Sequence, residues 1–195
     1  MSRKSLLVAG FGAFPGHRIN PAQVATEALA RRRAAFALSG IDLHTAVLPV
    51  EHAELPPRLT RLFAETSPEA VLLLGVAARR KTLSIETRAK NRVTLLRADA
   101  ARQLPWSCEI VHGAPHCFAS PAPAERLAAA ARACGVPAKT SRDAGAYLCN
   151  EAYYLSLLMD RRAVFVHLPD WRRAELVRAL PALESVAKAL TFMQD

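Results

Sequence analysis

Short, continuous apolar runs recur along this chain, and stretches with helical spacing separate them. The runs are Leu6–Ala9, Leu43–Val50, Ala70–Gly75 and Ala163–Leu168. Leu6–Ala9, Ala70–Gly75 and Ala163–Leu168 predict buried strands, and Leu43–Val50 predicts a further strand. Between them the spacing predicts a helix from Pro21 to Phe36, with Asn20 as cap and Pro21 at its first position. Further helices are expected over Glu51–Glu65, Pro123–Cys134 (closed by Gly135), Cys149–Met159 and Arg173–Phe192. Pro56-Pro57 should disturb the first turns of the second of these helices, and Pro181 should kink or break the last. Leu83–Lys90 is expected to be extended and Ala138–Thr140 to be a short strand. Residues 91–120 are expected to be irregular, with one strand at Cys108–Val111. Strands alternating with helices specify an α/β fold, helices covering a largely parallel, twisted sheet. With 195 residues and no linker, repeat or low-complexity tract, a single domain over 1–195 is the expectation.

Composition narrows the function classes. Hydrophobic residues make up 51% and charged residues 22%, a globular balance, and no apolar run is long enough to cross a membrane. The start, MSRKSLLVAG, has basic residues and a short apolar part. The apolar part is too brief for a secretory signal and is followed by Gly10-Phe11-Gly12, so a cytoplasmic protein is expected. The four cysteines, Cys108, Cys117, Cys134 and Cys149, form no CxxC pair, and disulfides are not expected. Cys108, His112, His116 and Cys117 cluster in SCEIVHGAPHC, but their spacing matches no zinc pattern, and no metal or cofactor is expected. The net charge of +9 is spread over separate arginine pairs and triplets, without aromatic interleaving, so solvated faces rather than a nucleic-acid surface are expected. GFGAFPG lacks the spacing of a dinucleotide loop, and no acidic residue follows at the required distance.

In α/β sheets, function gathers at the carboxyl ends of strands. Those ends here carry GFGAFPGHRIN, GVAARR and His167. Cys149 stands where the small run Ala144-Gly145-Ala146 gives way to helical spacing, at or near a helix N-terminus that favours an anion such as a thiolate. Thiol hydrolysis needs a nucleophile, an imidazole to move the proton and a group to hold the imidazole. Cys149, His167 and Glu86 can fill those roles, and helix-terminal N–H groups can stabilise an oxyanion.

Six segments, in order, then resemble one family. GFGAFPGHRINPA resembles the N-terminal GF-x-PF-GG…NP motif of pyroglutamyl peptidase type I, and LPV at 48–50 its second strand. GVAARRKTLSIETRAKN resembles its Gly-x-Ala-x-x-Arg…Glu-Arg-x-Ala-x-Asn stretch, and GAPHCFAS its Gly-Pro-x-x-Tyr-Phe-Ser segment. SRDAGAYLCN is similar to the nucleophile motif Ser-x-x-Ala-Gly-x-x-x-Cys-Asn, the most specific of the six, and FVHLP to the His-x-Pro strand end. The resemblance implies an α/β/α sandwich and a cysteine exopeptidase that removes N-terminal pyroglutamate from peptides without a metal. It assigns Cys149 as nucleophile, His167 as general base and acid, and Glu86 as the group orienting His167. It places Phe11, Phe14, Tyr147 and Leu148 in an apolar pocket for the lactam. Family members often form dimers or tetramers, and a homodimer or tetramer is the corresponding expectation.

Four departures bear on specificity. Val76 stands where many members carry a glutamine that contacts the lactam; a backbone contact would survive this change and a side-chain contact would not. Arg79-Arg80 replaces Gly-Arg. The arginine associated with the oxyanion aligns with Leu96, and Arg97 beside it is the substitute. The spacing from Cys149 to His167, and from His167 to the last helix, is shorter than usual, although deletion of a surface turn costs little. The alternatives are a same-fold amidase or peptidase with altered acyl specificity, and a non-catalytic binding member of the family.

Overall fold

The computed structural model describes residues 3–14, 19–159 and 161–192; the middle of GFGAFPGHRINPA, residues 15–18, lies outside them. The four apolar runs, with the extended segment at 83 and the short strand at 138, form the sheet: β1 (Lys4–Phe11), β2 (Ile41–Leu48), β3 (Ala70–Val76), β4 (Leu83–Glu86), β7 (Ala138–Ser141) and β8 (Ala163–Leu168). A separate two-stranded ribbon pairs β5 (Arg88–Lys90) with β6 (Cys117–Ala119). The sheet order is β2-β1-β3-β8-β4-β7. β2, β1, β3 and β8 run parallel, while β4 and β7 run together in the opposite sense to β8. Position in the sheet explains the sequence pattern. Every residue of central β8 is buried, whereas edge strand β2 mixes buried with exposed positions.

Helices cover both faces. α1 (Pro21–Ala30), α2 (Arg33–Leu38), α4 (Ala124–Ala133) and α6 (Arg173–Phe192) contribute to the core built on Leu6, Val8, Leu72, Leu74, Val164 and Val166. α3 (Leu55–Thr66) and α5 (Leu148–Leu158) cover the opposite face, against Leu7, Ala9, Phe11, Leu73 and Phe165. Alternate residues of one strand thus enter different cores. Each fully buried leucine or phenylalanine contributes about 1.5–3 kcal/mol.

Several local expectations are corrected. The helix expected from Pro21 to Phe36 is two helices. Arg32 and Arg33 at the break anchor to different neighbours, Arg32 to Glu184 at 2.9 Å and Arg33 Nε to the Leu43 carbonyl at 3.1 Å. No strand forms at Cys108–Val111, because the Asn91 side chain takes both the N–H and the carbonyl of Val111 that a ladder would use. The strand of that region lies instead at Cys117–Ala119. Pro181 does not break α6, which continues from Arg173 to Phe192: burial of Leu176, Ala179, Leu183, Val186 and Leu190 along one face outweighs the roughly 3 kcal/mol proline penalty. The reversal of β4 follows from the short link 77–82, since a parallel return needs a dozen or more residues.

Candidate active site

Glu86, His167 and Cys149 meet on the α3/α5 face of the sheet. Ser84 of β4 pairs with His167 of β8, so Glu86, two residues on, lies diagonally across on the same face. Its Oε1 is 2.8 Å from His167 Nδ1. Glu86 is fully buried and His167 nearly so. A carboxylate at Oε1 fixes the Nδ1–H tautomer and leaves Nε2 as the basic nitrogen. On the other side of β8, Gly75 of β3 pairs with His167. A Cβ built on Gly75 would lie 2.9 Å from Cys149 Sγ and 2.6 Å from Phe165 Cζ. The absence of a side chain at Gly75 therefore admits the sulfur next to the histidine strand.

Local sequence delivers the sulfur to this place. Gly145 adopts φ +85, which a side-chain-bearing residue rarely tolerates, and its N–H bonds Asp143 Oδ1 at 3.3 Å. The chain then extends through Tyr147, the N-cap of α5, and Cys149 is the second residue of the helix. No side chain caps this start, so the first-turn N–H groups are available to an anion. Asn150 ties the helix to β5 by accepting from Lys90 N–H at 2.9 Å and donating to the Lys90 and Arg92 carbonyls at 2.8 Å each.

A cavity of about 360 Å³ opens in front of Cys149 and His167. Phe11, Phe14, Val76, Tyr147, Leu148 and Arg97, all singled out from the sequence, line it. Phe11 and Leu148 are also core residues, at 4% and 1% exposure, while Phe14, Val76 and Tyr147 are half-buried. The Arg97 guanidinium lies 4.3 Å from the centre of the Tyr147 ring, and the Tyr147 hydroxyl donates to the Ala98 carbonyl at 3.0 Å. Arg79 is exposed and does not line the cavity. Glu86 lies behind His167, outside the lining.

Sequence reasoning missed part of this wall. Asn20 is the expected helix cap, bonding Ala22 N–H at 2.9 Å, and it lines the cavity as well. Val50, Thr94 and Ala144–Ala146 complete the lining. Thr94 donates its N–H to the Ala146 carbonyl at 2.7 Å, joining two segments far apart in the chain, and no periodic pattern marks such a contact. His52 and Glu151 form a buried pair at 2.6 Å behind Tyr147, with the His52 ring edge-on to it at 5.7 Å.

The electrostatics differ from the thiolate suggested by the helix start. Burial pushes the Cys149 thiol up to about 12; Arg97 and Arg80 and its own backbone N–H act against this, and the Glu86 charge adds to it. Cys149 keeps some exposure toward the cavity, so water relieves part of this rise, but the direction leaves a neutral thiol at neutral pH. A nearby base must then take its proton during attack. Among the described residues, no group of three or more His, Cys, Asp or Glu side chains is placed to hold a metal ion, and no helix is long and apolar enough to cross a membrane.

The chain is similar to known proteins along most of its length. A family model described as pyroglutamyl peptidase matches residues 4–174. The pyrrolidone-carboxylate peptidase of Thermococcus onnurineus is 33% identical over 192 residues, covering 94% of each chain. Pyroglutamyl-peptidase 1 of Mus musculus is 30% identical, over 93% of this chain and 88% of its own. The crystal structure of pyrrolidone carboxyl peptidase from Thermus thermophilus superposes with a TM-score of 0.82 at 33% identity, over 96% of this chain and 100% of that one. Pyroglutamyl peptidase I from Bacillus amyloliquefaciens shares the fold, with a TM-score of 0.88 over 99% of this chain and 97% of that one at 23% identity.

Proposed function

Because the chain belongs to the pyroglutamyl peptidase family, we propose that it hydrolyses the bond after an N-terminal pyroglutamyl residue of peptides, using the Cys149 thiol. The observation that carries this reading is the convergence of Cys149 and His167 on one apolar cavity at a helix N-terminus, with Glu86 bonded behind the histidine.

The steps follow from the geometry. Cys149 Sγ attacks the carbonyl carbon of the pyroglutamyl–peptide bond while His167 Nε2 takes the thiol proton. The developing oxyanion is met by N–H groups of the α5 first turn and by the Arg97 charge. His167 gives the proton to the leaving nitrogen, the C–N bond breaks, and a pyroglutamyl thioester remains on Cys149. Water then attacks the thioester, its proton passing to His167 and on to the departing sulfur. Free pyroglutamate is released. Glu86 holds the imidazole and stabilises its charged form throughout.

Phe11, Phe14, Val76, Tyr147 and Leu148 give the acyl group an apolar enclosure suited to a neutral lactam. A free N-terminal ammonium would lose its hydration there without gaining a counter-charge, since the cation of the wall, Arg97, repels it. Four free cysteines and thiol chemistry fit a reducing, cytoplasmic setting, and an assembly of identical chains is part of the same proposal. The test is turnover of a pyroglutamyl amide of a fluorescent amine beside prolyl, glutaminyl and alanyl amides. Turnover restricted to the pyroglutamyl amide supports the reading; equal turnover of the prolyl amide removes the lactam from the account.

A further inference from the structure

Glu86 has no exposure, and a carboxylate in such a place takes up a proton or must be compensated by nearby charge. One histidine hydrogen bond is slender compensation. A second partner is present. Arg80, in the link between β3 and β4 and itself mostly buried, donates Nη1–H to Glu86 Oε1, the same oxygen that faces His167 Nδ1. The other arm of the guanidinium, Nη2, donates to the Asp143 carbonyl at 2.6 Å. Asp143 begins the Ala144-Gly145-Ala146 turn that delivers Cys149 to the cavity. One planar, permanently charged group therefore spans the histidine's carboxylate and the nucleophile's loop.

We propose that Arg80 is a positioning residue of the hydrolytic reaction, keeping Glu86 ionised against His167 and holding the Asp143–Leu148 loop at the distance that places Cys149. This rests on the hydrolase reading above. It also accounts for the arrangement around Glu86, whose Oε2 is buried without a partner among the described residues. Both hydrogen-bond partners of this carboxylate, Arg80 and His167, therefore meet at Oε1.

Arg80 of the β3–β4 link contacts Glu86, and Cys149 of α5 shares the cavity wall with His167 and feels the Glu86 charge. The Tyr153 hydroxyl of α5 donates to the Glu86 backbone carbonyl at 2.8 Å. The Asp143 carboxylate stands beyond, paired with Lys90 of β5 at 3.3 Å. Among the described residues, Arg80 is the arginine in direct contact with Glu86. Removing its charge makes the pair hold a proton more tightly, and the form with neutral His167 and ionised Glu86 then appears only at higher pH.

The test compares wild type with Arg80→Gln and Arg80→Lys in two measurements: the pH profile of kcat/KM on a pyroglutamyl amide, and the pH profile of iodoacetamide alkylation at Cys149, read by peptide mass mapping. For Arg80→Gln the acid limb of both profiles moves up by about one pH unit, and kcat falls roughly tenfold to a hundredfold with little change in KM. Arg80→Lys keeps the charge but cannot span both acceptors, so its acid limb stays within a few tenths of wild type while kcat still falls about fivefold or more. An unmoved limb in a folded Arg80→Gln protein overturns the proposal. If Arg80→Gln does not fold, full kcat in Arg80→Lys overturns it. Failure of the hydrolase reading is separate: wild type would then leave the amide intact, while the alkylation profiles would still report whether Arg80 governs the pair.

Discussion

Gly75 makes room for Cys149: any Cβ at this strand position would stand 2.9 Å from the sulfur, directly beside the strand that carries His167. The same Cβ would lie 2.6 Å from Phe165, whose ring is packed into the core and 4.6 Å from the His167 ring. Gly75→Ala is therefore expected to destabilise by about 1–3 kcal/mol in urea unfolding through overpacking. It should lower turnover more than tenfold, because displacement of the sulfur by about 1 Å is costly for a positioned nucleophile. Wild-type turnover in Gly75→Ala would show that the sulfur does not need this space.

The resting thiol is expected to be neutral. Burial raises Cys149 from 9.0 to about 12, so a thiolate absorbance difference between wild type and Cys149→Ala should develop only above about pH 9. The raised value means that the folded protein holds this proton more tightly than the unfolded chain, so the stability involved is fully present below about pH 9 and is lost as pH climbs toward 12. Urea unfolding across that interval should show wild type losing more stability than Cys149→Ala. A thiolate step below about pH 8 would instead establish a resting thiolate–imidazolium pair.

Phe11 and Phe14 line the same cavity but should behave differently. Phe11 is a core residue, with its ring centroid 6.5 Å from that of Phe165, and Phe11→Ala is expected to cost about 3–5 kcal/mol of stability. Phe14 is half-buried at the cavity wall. Phe14→Ala should change stability by only about 1 kcal/mol and raise KM for a pyroglutamyl amide roughly tenfold, the cost of one apolar contact face. Unchanged KM in Phe14→Ala would remove this ring from the acyl site.

His52 and Glu151 support the Tyr147 wall from behind. His52→Leu leaves the Glu151 carboxylate without its partner, in a place where it is only 7% exposed, and should destabilise by about 1–3 kcal/mol. KM should rise more than kcat falls, because Tyr147 belongs to the enclosure and not to the reacting groups. Kinetics and urea unfolding on the same preparation check both effects, and a variant with wild-type KM would make the pair purely structural.

The parts of the site that sit on periodic elements were legible in the sequence. His167 ends an apolar strand, Cys149 opens a helix after a small-residue turn, and Glu86 lies in an extended segment, so strand-end logic and the family motifs converged on them. The structure brings Cys149 and His167 together with Phe11, Phe14, Val76, Tyr147, Leu148 and Arg97 around one cavity, with Glu86 bonded behind His167. What escaped depends on tertiary contacts without a period. The Arg80 bridge reaches Asp143, 63 residues on, and the Thr94–Ala146 bond joins an irregular loop to the nucleophile turn. The direction of β4 was hidden in the length of its connection, and the strand expected at Cys108–Val111 was pre-empted by the Asn91 side chain. The helix start correctly suggested free N–H groups near Cys149, but not that burial would outweigh them in setting the thiol's ionisation.

If Cys149 carries the acyl group, it can be trapped on the enzyme. The protein is mixed with a pyroglutamyl ester, quenched in acid within the first turnovers and digested, and the cysteine peptides are weighed. The expected result is a mass increase of one pyroglutamyl group on the peptide containing Cys149, none on those containing Cys108, Cys117 or Cys134, and none anywhere in Cys149→Ala. Hydrolysis that persists in Cys149→Ala, or an adduct on another residue, would contradict it.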